Sequence, residues 1–231
     1  SAVPAVLDMI NGVSNPSLRT GAPGGLMTIF GRNLSKVPAG TAGFEAAAPL
    51  PTTLNGTEVT VGGRPAAILV TASEPGLNPP DYMVVQIPAE AAAGVQPVVV
   101  RNANGAAPTF NLSVAAAAPG IYFDSTGGIA FRLADFSLVR PDNAARAGER
   151  VALLVTGLGA TNPPLPTGRR APASPVHNVA APVAVSAGGR DARVTSAYAL
   201  PGFAGVYAVV FEIPEGARGN LSVSASAGGA T

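Results

Sequence analysis

The chain repeats itself. Gly25-Leu-Met-Thr-Ile-Phe-Gly31 is answered by Val151-Ala-Leu-Leu-Val-Thr-Gly157. Val59-Thr-Val-Gly62-Gly63-Arg64 is answered by Val185-Ser-Ala-Gly188-Gly189-Arg190, and Tyr82-Met-Val-Val-Gln-Ile87-Pro88 by Tyr207-Ala-Val-Val-Phe-Glu-Ile213-Pro214. Gly31 and Gly157, Gly62 and Gly188, Arg64 and Arg190, and Pro88 and Pro214 are each 126 positions apart. A tandem duplication of this kind requires two copies of one structural plan. Each copy has roughly 110 residues, about the size of a small β-sandwich.

The repeated phrases read as strands. Val151–Val155 is long enough for one buried strand and too short for a helix. It runs into Thr156-Gly157-Leu158-Gly159 and then Asn162-Pro163-Pro164-Leu165-Pro166, which neither a helix nor a central strand could hold. Turn residues separate expected strands at 25–31, 57–62, 65–72, 82–87, 95–101 and 109–115, after an apolar opening stretch at 2–13. Those of the second copy are expected at 121–123, 129–133, 150–156, 182–187, 192–199, 206–213 and 219–226. Glu90–Ala93 offers a single helical turn at most. With 28 Gly, 23 Pro and 47% apolar residues, the composition fits many short strands joined by tight turns. The expected fold is all-β: two tandem immunoglobulin-like sandwiches, residues 1–117 and 118–231, joined through Ala115-Ala-Ala-Ala-Pro119-Gly120.

Three phrases carry a resemblance: residues 143–168 (NAARAGERVALLVTGLGATNPPLPTG), PVAVSAGGRDARV from 182, and ALPGFAGVYAVVFEIPEG from 199. Together they resemble an uncharacterised bacterial C-terminal domain family found on secreted and surface proteins, notably acidobacterial ones. The first half, with GGLMTIFGRNL, LPTTLNGTEVTVGGRPAAI and VVQIPAEAAAGVQPVVVRNANG, is similar to the same family's upstream unit. Both are similar to IPT/TIG (E-set type) immunoglobulin-like domains. The resemblance implies that fold and an extracellular or cell-surface setting, and it brings no catalytic residue with it.

Charge and composition narrow the chemistry. Net charge is +1, so electrostatics supply no case for nucleic acid or an anionic membrane surface. Cys is absent, which excludes disulfides, thiolate catalysis and Cys-based zinc sites. No apolar run approaches the roughly 20 residues that span a bilayer. No signal-peptide pattern opens the chain, and Ser1-Ala2-Val3 is compatible with a processed mature end. Gly157-Leu158-Gly159 lacks the third glycine and following helix of a dinucleotide fingerprint, because Asn162 and two prolines follow. His177 is the only histidine, has no G-x-S-x-G partner, and reads as a surface loop residue. The Arg169-Arg170 doublet reads as a solvated loop tip. Asp124, Asp135, Asp142 and Glu149 lack calcium-loop spacing, although an ion at the domain junction stays an open alternative. Arg64 and Arg190 read as turn arginines laid on the sheet, with a repeated ligand contact as the other reading. Asn33, Asn55, Asn111 and Asn220 begin N-x-S/T triplets, for which glycosylation is an option. Most aromatic residues sit in strand patterns and are expected in the core rather than on a sugar-stacking platform. No catalytic, cofactor-binding or metal-binding residue is assigned.

One asymmetry points to a function. The first copy closes with Thr109-Phe-Asn-Leu-Ser-Val114 after Asn104-Gly105, whereas the second runs through Leu221-Ser-Val223-Ser-Ala225-Ser to Thr231. The second sandwich is therefore expected to lack its closing strand; a trimmed chain, or an opening strand of the second copy that covers the gap itself, is the other reading. The groove left beside Leu221, Val223 and Ala225 is the expected acceptor for a strand from another copy, as in donor-strand complementation. The candidate donor is the opening stretch, with Val3, Ala5, Leu7 and Met9 alternating. The same stretch also suits the first sandwich's own opening strand. The expectation is a non-enzymatic extracellular structural or adhesive protein that self-associates into a filament. The alternative is a polysaccharide- or protein-binding accessory module.

Overall fold

The computed structural model describes residues 2–12, 19–44 and 48–231. The first half begins with β1 (Ala5–Asn11), β2 (Thr20–Gly21), β3 (Leu26–Arg32), β4 (Thr41–Phe44), β5 (Thr53–Leu54) and β6 (Thr57–Val61). It continues with β7 (Arg64–Pro65), β8 (Ala67–Ser73), β9 (Asp81–Gln86), β10 (Gly94–Asn102), β11 (Gly105–Ala106) and β12 (Phe110–Val114). One sheet runs β1-β3-β9-β8-β4 and the other β2-β12-β10-β6-β5, with β11 beside β10 and β7 beside β6. Met9, Met27, Ile29 and Met83 from the first sheet meet Val59, Val61, Val98 and Val100 from the second in a sealed core.

The second half contains β13 (Gly120–Ile121), β14 (Phe123–Asp124), β15 (Gly127–Gly128), β16 (Ala130–Arg132), β17 (Arg150–Thr156) and β18 (Thr161–Asn162). After these come β19 (Asn178–Val179), β20 (Val183–Ala187), β21 (Arg190–Ala192), β22 (Val194–Ala199), β23 (Tyr207–Glu212) and β24 (Val223–Ala227). The larger sheet runs β13-β17-β23-β22-β19-β18, with β16 beside β17; β21-β20-β24 faces it, and β14-β15 is a small hairpin. Val151, Leu153, Val155, Val209 and Phe211 meet Val185, Ala187 and Ala225 between them. No helix occurs among the described residues.

Burial explains why some strands alternate and others do not. β24 shows serines to solvent and turns Ala225 and Ala227 inward, the alternation of a sheet with one wet face. β3 and β9 are apolar on both faces because both faces are covered. Leu26 and Val84 on their outer face, with Val70 and Ala72 of neighbouring β8, pack against Tyr122 and Val206 of the second half. Leu50 and Ala67 likewise meet Ala204. In the second half, Leu133, Tyr198 and Leu200 cover Ala152, Ala208 and Val210.

The duplication is visible bond by bond. The β8–β9 ladder carries a bulge between Ile68 and Val70, and the β22–β23 ladder carries one between Val194 and Ser196, so each pair is displaced by 126 residues. The β6–β7 turn closes on Val61 and Arg64, and the β20–β21 turn on Ala187 and Arg190. All four turn glycines have left-handed φ, 59° and 76° at Gly62 and Gly63, 61° and 73° at Gly188 and Gly189. The Gly31–Gly157 correspondence does not hold. Gly31 pairs with Asp81, while Tyr207 pairs with Val155, so Val155 is the equivalent and Gly157 lies two residues beyond. The segment between β17 and β20 is two residues longer than its counterpart, which moves the first phrase out of step.

Gly157 and Gly159 hold the halves together at close quarters. Their φ values are +73° and +81°, and a Cβ on either would run into the carbonyl oxygens of Ala118 and Ala116. Ala118 N–H donates to the Gly157 carbonyl at 2.8 Å. The Thr156 hydroxyl accepts from Leu26 N–H at 2.8 Å and donates to the Gly205 carbonyl at 2.7 Å. Asn11 Nδ2 donates to the Ala118 carbonyl at 2.7 Å, and the Gln86 carboxamide oxygen accepts from Gly168 N–H at 2.7 Å.

Candidate functional site

The chemically suggestive side chains are dispersed. His177 is buried, at 7% exposure, with Nδ1 2.7 Å from the Pro163 carbonyl. The sequence placed it at the surface; the Pro-rich loop instead folds over the ring and gives it a backbone partner. Asp124 bonds its own turn at Thr126 and pairs with Arg140 at 2.7 Å. Asp135 bonds Ser137, and Glu149 meets Arg132 at 2.5 Å. The Thr126 and Ser137 hydroxyls hold the Asp124 and Asp135 carboxyls below the usual aspartate range. Among the described residues no three His, Asp or Glu side chains gather as metal ligands would.

The duplicated arginines do different things. The Arg190 guanidinium donates to the Glu215 carbonyl, while Arg64 lies exposed in its turn. Of the doublet, Arg169 is exposed and Arg170 reaches the Gly202 carbonyl at 3.2 Å. Asn33, Asn55, Asn111 and Asn220 are all exposed, although Asn55 donates to the Thr71 hydroxyl. Tyr207 and Phe211 are core residues, but Phe123, Phe136 and Phe203 are exposed. These three are the exceptions to the expectation that most aromatics are internal, because they sit on loops and a short hairpin outside the main sheets.

What the structure brings together is a sheet edge. In the first half, β12 lies between two neighbours. It runs antiparallel to β10, from Gly94–Val114 to Val98–Phe110, and parallel to β2, through Thr20–Ser113 and Gly21–Val114. Leu112 and Val114 point inward and are buried, with Phe110 packed beside them. In the second half β24 stands where β10 does: Val98 pairs with Val61, and Val223 with Ala187. Residues 144–145 stand where β2 does, four residues before Gly148, whose φ of +77° matches the +75° of Gly24. Among the described residues no strand lies between them; β24 forms a ladder with β20 on one side, and on the other Ala227 alone is bridged, to Ala230. Leu221 and Val223 are half-buried and Ala225 is 5% exposed, whereas Val98, the counterpart of Val223, is at 0%. β13 approaches β24 to within 8 Å between Cα atoms, so the two sheets lean together at this end.

The edge of β24 is unguarded. Its pairing with β20 has no bulge, and residues 221–227 contain no charge and no proline. Edge strands normally carry such devices against unwanted pairing. β1, at the edge of the first sheet, has two: a bulge between Val6 and Asp8, and the Asp8–Arg19 ion pair at 2.7 Å. That bulge also changes the facing of the opening stretch expected as a donor. β1 is part of its own sandwich, with Met9 in the core and Val3 and Leu7 exposed, so Val3, Ala5, Leu7 and Met9 do not share one face.

No family model matches the chain, and no curated protein matches it. Among solved structures it is similar to domains 5-6 of the S-layer protein SbsC, with 12% identity over 98% of this chain and 93% of that one. The TM-score is 0.26, too loose a superposition to bear on function.

Proposed function

We propose that this chain is a non-enzymatic structural subunit of an extracellular or cell-surface assembly, built from two IPT/TIG-like sandwiches and joined to neighbours by strand addition at β24. The observation that carries the reading is the contrast between β12, clasped on both sides, and the unguarded edge of β24. Three inward apolar side chains close this position in the first half, and each contributes about 1.5–3 kcal/mol on burial. Their sum, on the order of 5–9 kcal/mol, equals the whole stability of many domains. A groove on one end of a subunit filled from a different surface of the next is a heterologous contact, which propagates rather than closes.

Light scattering across a concentration series, with electron micrographs of the same sample, tests this. Linear oligomers that dissolve on Val223→Asp support it. A monomer at every concentration sinks it.

Phe136 favours a second reading as a protein-binding module. It is 76% exposed and holds φ at +58°, an uncommon conformation for a bulky residue displayed at a hairpin tip. Loss of a captured partner on Phe136→Ser, with β24 variants unaffected, would favour that reading.

A further inference from the structure

The chain contains three Asn-Gly pairs, Asn11-Gly12, Asn55-Gly56 and Asn104-Gly105. Such a pair is chemically labile, because asparagine is thermally fragile and a following glycine has no side chain to shield its amide nitrogen. The fold treats the three differently. Asn11 is 3% exposed, and its Nδ2 donates to the Thr20 and Ala118 carbonyls at 2.9 and 2.7 Å. Gly12 N–H donates to the Leu26 carbonyl at 2.8 Å, so the attacking nitrogen and the leaving group are both tied. Asn55 is exposed, but its Nδ2 donates to the hydroxyl of buried Thr71 at 2.7 Å. The Lys36 stem also lies over Gly56, 3.6–4.0 Å from where a Cβ would stand.

Asn104 has neither burial nor a firm grip. It is exposed in the turn that Ala103 and Asn104 make between the paired residues Asn102 and Gly105. Its backbone N–H is anchored to Asn102 Oδ1 at 2.9 Å. Its Nδ2 donates to the Ala2 carbonyl at 3.3 Å, a longer contact than the amides of Asn11 and Asn55 make. Gly105, at φ +127°, is where Val3 rests: Val3 Cγ1 lies 3.2 Å from the place a Cβ would take. The turn therefore ties residues 2–4 to the first sandwich through the side chain of Asn104 and the backbone of Gly105.

We infer that Asn104 is a site of self-modification, converted by the Gly105 amide and water to aspartate and isoaspartate, and that the conversion unties residues 2–4 from this turn. The Gly105 nitrogen, having given its proton to solvent, adds to Asn104 Cγ and closes a cyclic imide. The Cγ–Nδ2 bond breaks, and its electron pair leaves on ammonia, which takes up a proton. Water then adds to one imide carbonyl and breaks its bond to nitrogen, so nothing is oxidised or reduced. The product carboxylate accepts hydrogen bonds and donates none, so it faces the Ala2 carbonyl oxygen with no proton between them. Isoaspartate also lengthens the backbone between 104 and 105 and displaces Gly105 from beneath Val3. Val3 is already 50% exposed and has little else to hold it.

The test ages the purified 231-residue protein in mildly alkaline buffer, where the attacking amide loses its proton more readily. Peptide mapping by mass spectrometry finds each converted asparagine, and an isoaspartyl methyltransferase counts isoaspartate. In the folded protein Asn104 converts about tenfold faster than Asn55, the weight of one firm hydrogen bond, and Asn11 stays intact. In denaturant the three convert at comparable rates, and Asn104→Gln removes the fast phase from the folded protein. In Asn104→Asp the nuclear Overhauser contact between the Val3 methyls and Gly105 is lost while the melting profile is kept. Four results overturn the inference: no conversion at Asn104, Asn11 or Asn55 converting as fast in the folded protein, the same ranking in denaturant, or a Val3–Gly105 contact that survives Asn104→Asp.

Discussion

The two halves share a plan and differ in closure. In the first, five strands face seven, and core residues such as Ile29, Ile68, Val61 and Val98 are at 0% exposure. In the second, the larger sheet faces three strands, and Val183, Leu221, Val223 and Ala230 pack against the core while staying partly exposed. The turns, the bulge and the ladder registers are duplicated, so local structure does not account for the difference. It goes with one difference in pairing: β12 lies beside β10, while among the described residues no strand lies in that position beside β24. A sheet edge without its strand leaves both backbone groups and the inward side chains beside it in contact with water. The lesson is that a repeated sequence can reproduce the turns, the bulge and the registers of a copy while the pairing at one sheet edge differs.

The comparison predicts a large gap between equivalent core truncations. Ile29→Ala, in the sealed core, is expected to cost about 3–4 kcal/mol, while Leu221→Ala, half-exposed in the open one, costs about 1 kcal/mol. Denaturant unfolding read separately for each half checks this. Equal losses would mean that the second core is closed in solution. The seam between the halves comes next. Thr156→Val leaves the Leu26 N–H and the Gly205 carbonyl without their shared partner, for about 2 kcal/mol. If the halves then melt in two separate steps, the seam is what makes them unfold together.

Alkali probes the same seam. Burial pushes the Tyr207 phenol up to about 12 from 10.0, and it pushes Tyr122 up as well. The folded state therefore holds these phenols neutral after the unfolded chain has begun to ionise. Stability is full below pH 10 and falls by about 1.4 kcal/mol per pH unit per phenol as pH rises toward 12. Tyr207→Phe should make that fall shallower, at a fixed cost of about 1 kcal/mol for the hydrogen bond to the Gly159 carbonyl. An unchanged slope in thermal melts would show that Tyr207 is already solvated. The smallest effect separates the duplicated arginines. Arg190→Ala loses its bond to the Glu215 carbonyl and costs about 0.5–1 kcal/mol, whereas Arg64→Ala costs about zero. Equal effects would make the two turns energetically equivalent despite their different surroundings.

Much of this was legible in the residues. Turn glycines and prolines punctuate strands within a residue or two of where β6, β9, β17, β20 and β23 lie, because left-handed φ and a missing N–H are local demands. The same locality made Gly31 and Gly157 look equivalent, since identical residues mark different places once an intervening loop changes length. His177 was misjudged for a related reason: burial of a loop residue depends on which loop folds over it, and spacing carries no trace of that. The opening stretch shows clean alternation from Val3 to Met9, yet a bulge at Leu7 turns the chain over.

The sequence by itself determined that its phrases recur 126 positions apart and that they are made of strands joined by turns. These follow from local φ preferences, apolar periodicity and order along the chain, all properties of neighbouring residues. Only the tertiary structure decided that Gly157-Leu158-Gly159 serves as a seam, that β3 and β9 are covered on both faces, and that β24 forms its ladder with β20 alone. Each depends on which distant segment arrives against a given strand. That is a matter of packing between residues more than a hundred positions apart, as with Leu26 and Thr156, and no window of sequence contains both.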